Sequence, residues 1–251
     1  MGSLAGTAAG RPYPIPRQPW IMAMQWHDLL FMHWPLDPAV VQPFIPRGLE
    51  LDLFEGQAWI AVVPFYMRGV GPRFVTGLPW VSTFAELNVR TYVTAEGKPG
   101  VWFFSLDAAN AFAVQTARMG FYLPYFNARM QVKQKQDWIY YKSIRTHRGA
   151  PPATFGARYR PTGAVYNSEP GTLEYWLTER YCLYSANSHS DVFRGDIDHA
   201  RWPLQPAEAQ VAYNTMTEQA GIELPNRQPL LHFARRLDVR AWVVRRVRSG
   251  E

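Results

Sequence analysis

An acidic residue inside a strand-patterned run is the first candidate for chemistry. In Phe84-Ala85-Glu86-Leu87-Asn88-Val89-Arg90-Thr91-Tyr92-Val93, strict alternation puts Phe84, Glu86, Asn88, Arg90 and Tyr92 on one face and Leu87, Val89, Thr91 and Val93 on the other. One face is apolar; the other carries an acid, an amide and a guanidinium. In a ring-lined interior the charged form of Glu86 would be disfavoured by desolvation, which raises its pKa and suits a general acid or base. Arg90 lies roughly 13 Å further along the strand, too far for a direct pair, while Asn88 between them could hold the carboxylate or a substrate oxygen. A solvated face of an antiparallel sheet shows the same alternation. A structural arginine from a neighbouring strand, such as Arg129, is the alternative partner for Glu86.

Other reactive side chains give weaker patterns. His27 and His33 share a strand parity, but six strand residues hold them roughly 20 Å apart, so they cannot ligate one metal. Asp196, Asp198 and His199 have ligand types, yet the sequence around Gly195 suits a surface turn and supplies no further ligands at a recognisable spacing. Ser105, Asp107 and Asn110 lack a nucleophile elbow. Glu179 and Arg180 read as a buried ion pair at a helix end. The single cysteine, Cys182, reads as a small core residue and excludes an intrachain disulfide or a cysteine metal cage.

These residues need a scaffold, and composition bounds it. The chain has 251 residues, 47% of them apolar and 15% aromatic, with ten Trp; this fits one large core or a wide cavity walled by rings. The net charge of +6 comes from 22 Arg and 4 Lys against 20 acids. The cations are scattered apart from a C-terminal cluster and accompany no nucleic-acid signature, so nucleic-acid binding is not expected. No apolar run approaches the ~18 residues of a spanning helix and the first stretch lacks a signal-peptide core, so a cytoplasmic protein with no membrane partner is expected.

Residues 1–19, rich in Gly, Ala and Pro, read as a flexible arm ahead of a single domain over 20–251. Strands are expected from Met22 to Trp34, stopped by Pro35, and over Trp59–Tyr66 and Thr83–Val93. The last pairs through a Gly/Pro turn with Val101–Asp107. Asp37 caps a short helix with Pro38 at its first position. A helix is predicted over Ala109–Tyr122 with Asn110 as a cap, then a hairpin of Ala128–Lys135 and Trp138–Arg145. A second helix runs from Thr172 to about Thr178, and a late strand covers Leu237–Val244.

Four segments carry a family resemblance: Trp26 to Pro35, Pro46 to Asp52, Glu86 to Tyr92 and Thr178 to Tyr184. Over about residues 20–245 the chain resembles a bacterial family of uncharacterised YqjF-like proteins, itself similar to acetoacetate decarboxylase. The resemblance implies a mainly β (α+β) fold: a large curved antiparallel sheet closed into a cone or barrel around a small-molecule cavity, with a few short helices. It also implies where the chemistry has changed. The decarboxylase forms a Schiff base through a lysine after an aromatic-Pro dipeptide, with a second lysine beside it. Here that stretch reads Tyr122-Leu123-Pro124-Tyr125-Phe126, and both lysine positions are aromatic. His27 aligns with an active-site arginine, one active-site glutamate falls near Ala61 or Val62 and is lost, and the other aligns with Glu86. Lys98, Lys133, Lys135 and Lys142 all read as ordinary solvated lysines.

The expected function is therefore acid/base handling of a small carbonyl or carboxylate compound, by isomerisation, dehydration or cyclisation, without cofactor or metal and without Schiff-base decarboxylation. Glu86 and His27 are the catalytic candidates; Asn88, Arg90, Tyr125, Phe126 and Arg129 are the substrate-binding candidates. A non-catalytic small-molecule binder is the alternative, and homo-oligomerisation is compatible with either.

Overall fold

The apolar alternation of the sequence is realised as one hydrogen-bonded sheet of 13 strands. The computed structural model describes residues 11–74 and 82–247. The strands are β1 (Met22–Leu36), β2 (Glu50–Leu51), β3 (Ala58–Pro72), β4 (Phe84–Ala95), β5 (Lys98–Ala108), β6 (Tyr125–Lys135), β7 (Trp138–Arg145), β8 (Thr154–Pro161), β9 (Cys182–Ala186), β10 (Val192–His199), β11 (Leu204–Asn214), β12 (Leu230–Ala241) and β13 (Arg245–Arg246). Helices α1 (Pro38–Val41), α2 (Ala111–Phe121) and α3 (Leu173–Thr178) interrupt them. Each helix starts where the sequence predicts, because Asp37, Asn110 and Thr172 accept hydrogen bonds from Ala39, Ala113 and Tyr175 amides.

The sheet closes on itself. Going round, β5, β6, β7, β8, β11, β12, β1, β3 and β4 are neighbours, and β4 pairs back onto β5. A second path leaves β5 through β9 and β10 and rejoins at β12. Most pairings are antiparallel; β5 is the exception, running parallel to both β6 and β9. The β5–β9 approach needs Gly100, since a Cβ there would stand 2.6 Å from Cys182 Sγ and 2.8 Å from the Cys182 carbonyl oxygen.

Strands β1, β3 and β4 form a shared wall between two interiors. On one side Leu30, Met32, Ile60, Val62, Leu87 and Val89 pack against Tyr141, Phe155, Tyr159 and Phe233, filling the space. On the other side Phe65, Phe84 and Phe103 join Trp202 around a hollow.

Two boundaries differ from expectation. The first strand runs through Pro35 to Leu36. Pro35 pairs with Trp59 of β3, whereas pairing with β12 ends at His33, so its missing N–H breaks no ladder bond. The arm is also tied down where it is described. Arg11 donates to the Ile197 carbonyl (2.6 Å), pairs with the buried Asp198 (3.4 Å) and lies over the Tyr181 ring (4.9 Å); Trp242 donates to the Gln18 carbonyl. Residues 1–10 lie outside the described residues.

Strand β1 also carries a bulge. His27 pairs with Tyr66 and Met32 with Val62, five steps on β1 against four on β3. Asp28 adopts φ 51°, a left-handed conformation that Asp tolerates better than most residues. Its carbonyl accepts from Tyr159 Oη (2.8 Å) and its carboxylate pairs with Arg235 (2.7 Å).

Candidate active site

The hollow side of the shared wall is a cavity of about 270 Å³. β1, β3, β4 and β5 supply one wall, β9, β10 and β12 another, and α2 covers it with Ala113, Thr116, Ala117 and Phe121. Its lining is mainly aromatic and aliphatic. A larger groove lies on the outer face of β6, β7, β8 and β11, but it is open; its cations are the exposed Lys133 and Lys142 and the half-buried Arg158. The cavity behind the wall is lined by the buried ionisable groups Glu86, Arg90, Tyr125, Arg180 and His199.

Alternation on β4 delivers Phe84, Glu86, Asn88 and Arg90 to this cavity, while Leu87 and Val89 face the filled side. Glu86 is 2% exposed. Its Oε2 accepts from Tyr125 Oη at 2.8 Å, and Tyr125 is itself buried in the lining. Burial pushes the Glu86 pKa up to about 8, with the Asp107 charge adding to the rise and hydrogen bonds from Tyr125 and Asn88 opposing it. At neutral pH the carboxyl is therefore mostly protonated. The Tyr125 hydroxyl is raised well above its ordinary value by burial and by Glu86. Behind the site, Tyr141 reaches through from the filled side and donates to the Glu86 carbonyl at 2.7 Å and the Phe65 carbonyl at 3.2 Å.

Further along β4, Arg90 is 8% exposed and lies over Phe31 (5.1 Å) and Tyr92 (5.8 Å). Tyr92 Oη meets His33 Nε2 at 2.7 Å; burial and the Arg90 charge lower the His33 pKa well below its usual value, so this ring is neutral. Asn88 Oδ1 is buried without a hydrogen-bond partner.

The cavity thus gathers four of the predicted residues, Glu86, Asn88, Arg90 and Tyr125, and leaves out three. His27 is only half buried and faces outward, near Gln25 (3.2 Å), Arg68 and Arg236. The bulge at Asp28 reverses the strand parity, so His27 and His33 face opposite sides although their numbers predict one. Phe126 follows Tyr125 on β6 and points the other way, against Arg145 (4.1 Å) and His147 (5.5 Å). Arg129 is exposed, and the partner of Glu86 is a tyrosine.

Three further lining residues carry no cavity signal in the sequence, where Arg180 reads as an ion-pair partner and His199 as part of a surface turn; Asp196, Asp198 and His199 are instead buried on strand β10. Arg180, His199 and Trp202 reach the cavity from distant segments. Arg180 pairs with Asp52 at 2.5 Å rather than with Glu179; Glu179 instead accepts from Tyr181 Oη (2.6 Å) and the Trp202 amide (2.9 Å). His199 stacks on Tyr181 with ring centres 4.6 Å apart, and burial lowers its pKa. Asp107, near the site, is bound to Arg145 through two contacts of 2.5 and 2.9 Å. None of Lys98, Lys133, Lys135 and Lys142 lines the cavity. Among the described residues no group of three or more potential ligands could hold a metal, and no helix is long and apolar enough to cross a membrane.

A closed, mostly antiparallel circuit around one enclosed cavity is the acetoacetate decarboxylase-like fold. The chain superposes on an acetoacetate decarboxylase-like enzyme from Sphingomonas wittichii RW1 with a TM-score of 0.61, at 13% identity, covering 98% of this chain and 100% of that one. It matches the acetoacetate decarboxylase of Legionella pneumophila equally well (0.61, 14% identity, 99% and 98% covered). The enduracididine biosynthesis enzyme MppR, in complex with the condensation product of pyruvate and imidazole 4-carboxaldehyde, scores 0.64 at 11% identity, with 93% and 92% covered. At such identities the likeness concerns the fold alone. In sequence, the chain belongs to the DUF2071 family of uncharacterised conserved proteins, whose pattern matches residues 23–238. It is 45% identical over 232 residues to the uncharacterised protein YqjF of Bacillus subtilis, covering 92% of this chain and 95% of that protein.

Proposed function

We propose that the protein is an enzyme that acts on a small carbonyl compound by general acid–base chemistry inside the cavity, without a covalent amine intermediate and without a cofactor. The observation that carries this reading is the buried pair of Glu86 and Tyr125, 2.8 Å apart on the cavity wall, with the acid held protonated at neutral pH. A protonated Glu86 can give its proton to a carbonyl oxygen as charge develops there. The carboxylate left behind is held by the Tyr125 and Asn88 hydrogen bonds, the same contacts that oppose the rise in its pKa. That carboxylate then takes a proton from the carbon next to the carbonyl, which gives the enol and restores the acid; return of a proton to another carbon, loss of water, or closure of a ring onto the activated carbonyl completes an isomerisation, dehydration or cyclisation with no net change in the enzyme. One placed carboxyl group contributes about 10²- to 10⁴-fold, enough for a reactive carbonyl substrate. The fold neighbour MppR is complexed with a condensation product of pyruvate, which supports trying extended oxo-acid condensation products first.

The test compares wild type, Glu86→Gln and Tyr125→Phe against 2-oxo acids, 3-oxo acids, aromatic acids and lactones, by thermal shift and by product analysis. The expected outcome is a compound that stabilises all three proteins, is consumed by wild type, and is consumed at least about 100-fold more slowly by Glu86→Gln. A ligand bound by all three with no conversion by wild type would replace this reading with that of a non-catalytic binding protein.

A further inference from the structure

Four arginines among the described residues are buried: Arg90, Arg145, Arg180 and Arg194. Three of them have a carboxylate partner: Asp107 at 2.5 Å from Arg145, Asp52 at 2.5 Å from Arg180, and Glu96 at 2.8 Å from Arg194. Arg90 makes no ion pair with any described residue, and its Nε and Nη2 lack a hydrogen-bond partner. A guanidinium removed from water without a counter-charge is costly. The faces of Phe31 and Tyr92 and a hydrogen bond to the Tyr92 side chain offset only part of that cost.

The unmet charge points into the cavity, and its surroundings define what would balance it. Arg180 lies 5.0 Å from the same Tyr92 ring, lines the same cavity and keeps Nη2 unpartnered. Arg180 is already neutralised by Asp52, and the lining histidine, His199, is kept neutral by burial. Among the lining residues the excess is one positive charge, so a monoanion completes the site, whereas a dianion would add negative charge beside the buried Glu179, which no described cation pairs with. The remaining walls, among them Trp26, Phe65, Phe84 and Phe103, ask for a hydrocarbon body. Dry cavities of about 150 Å³ take up benzene, and 270 Å³ holds something larger.

We propose that the cavity binds an amphipathic monocarboxylate, with the carboxylate on Arg90 beside Arg180 and the hydrocarbon body extending toward Glu86 and Tyr125. The identity of the reacting end rests on the acid–base reading above: Glu86 and Arg90 are four residues apart on one face of β4, roughly 13 Å between Cα atoms, so the carbonyl that reaches Glu86 lies along the hydrocarbon body, away from the carboxylate.

Calorimetric titration with unreactive probes tests the ligand class without needing turnover. Wild type should bind hexanoate at least about 30-fold more tightly than hexanol, and more tightly than acetate, which lacks the body. Arg90→Met should lose that preference while melting no lower than wild type, since it removes an unpaired buried charge; Glu86→Gln should keep it. Hexanol binding as tightly as hexanoate, or undiminished hexanoate binding by Arg90→Met, overturns the proposal. The wild-type ratio decides the matter even if Arg90→Met does not fold. Carboxylate-selective binding with no conversion of any carbonyl compound would sink the acid–base reading and leave this one standing; the reverse pattern would do the opposite.

Discussion

The two sides of the β1–β3–β4 wall use the same strands for opposite ends. On the filled side Leu87, Val89, Ile60 and Val62 pack against a second layer of rings. On the hollow side the alternate residues of the same strands surround about 270 Å³ and include a carboxyl, an amide and a guanidinium. Side chains on the filled side have close-packed neighbours on every flank, and their free energy is folding energy. Those on the hollow side face partly onto empty space, and Asn88 Oδ1 and Arg90 Nε there lack a hydrogen-bond partner. Stability and chemistry are thus separated by one sheet thickness.

Truncation should expose the separation most strongly. Phe155→Ala, fully buried on the filled side, should cost about 3–5 kcal/mol, while Phe84→Ala on the cavity wall should cost less than about 3 kcal/mol because the space beside it already exists. Denaturant titration of both variants gives the comparison, and equal losses would break it.

The next effect is pH-dependent. Glu86 has a folded-state pKa of about 8 against 4.5 when unfolded. The folded state therefore holds a proton that the unfolded state releases between those values, and wild type loses stability as pH rises through that window. Glu86→Gln lacks this loss. Its melting temperature relative to wild type should climb from pH 4.5 to about 8, with a gain of a few kcal/mol at the alkaline end; a constant difference would mean that Glu86 is ionised in the folded protein. If Glu86 acts as the acid, kcat/KM of wild type should also fall above about pH 8.

Tyr125→Phe should cost about 1–2 kcal/mol through its lost hydrogen bond. Because that bond lowers the Glu86 pKa, the alkaline limb of the pH–rate profile should move upward in this variant; a downward move would contradict the assigned hydrogen bond. The smallest effect belongs to the lysines. Lys133→Ala and Lys142→Ala, exposed and far from the cavity, should leave turnover unchanged, and borohydride added during turnover should trap no adduct detectable by mass spectrometry.

Much of the hollow side was legible from local pattern. Alternation alone assigned Glu86, Asn88 and Arg90 to one face, because β4 is regular along that stretch. Helix starts were legible because Asn110 and Thr172 are local signals. His27 was misplaced because nothing in the sequence marks the extra residue at Asp28, and a one-residue shift exchanges the faces. Phe126 and Tyr125 are consecutive strand residues, so only one of them could face the cavity, and alternation could have chosen between them if the facing were known. Arg180 and Trp202 were invisible because their meeting with β4 depends on the closure through β9 and β10, which no spacing records.

The bulge at Asp28 has a consequence for how such a chain can change over time. Before it, even-numbered residues of β1 such as Met24 and Trp26 line the hollow; after it, odd-numbered ones such as Leu29 take their place. One strand therefore carries two reading phases joined at a single residue. A descendant that lost Asp28 would present every preceding side chain to the wrong medium at once, so this position should resist deletion even where its own side chain can be exchanged.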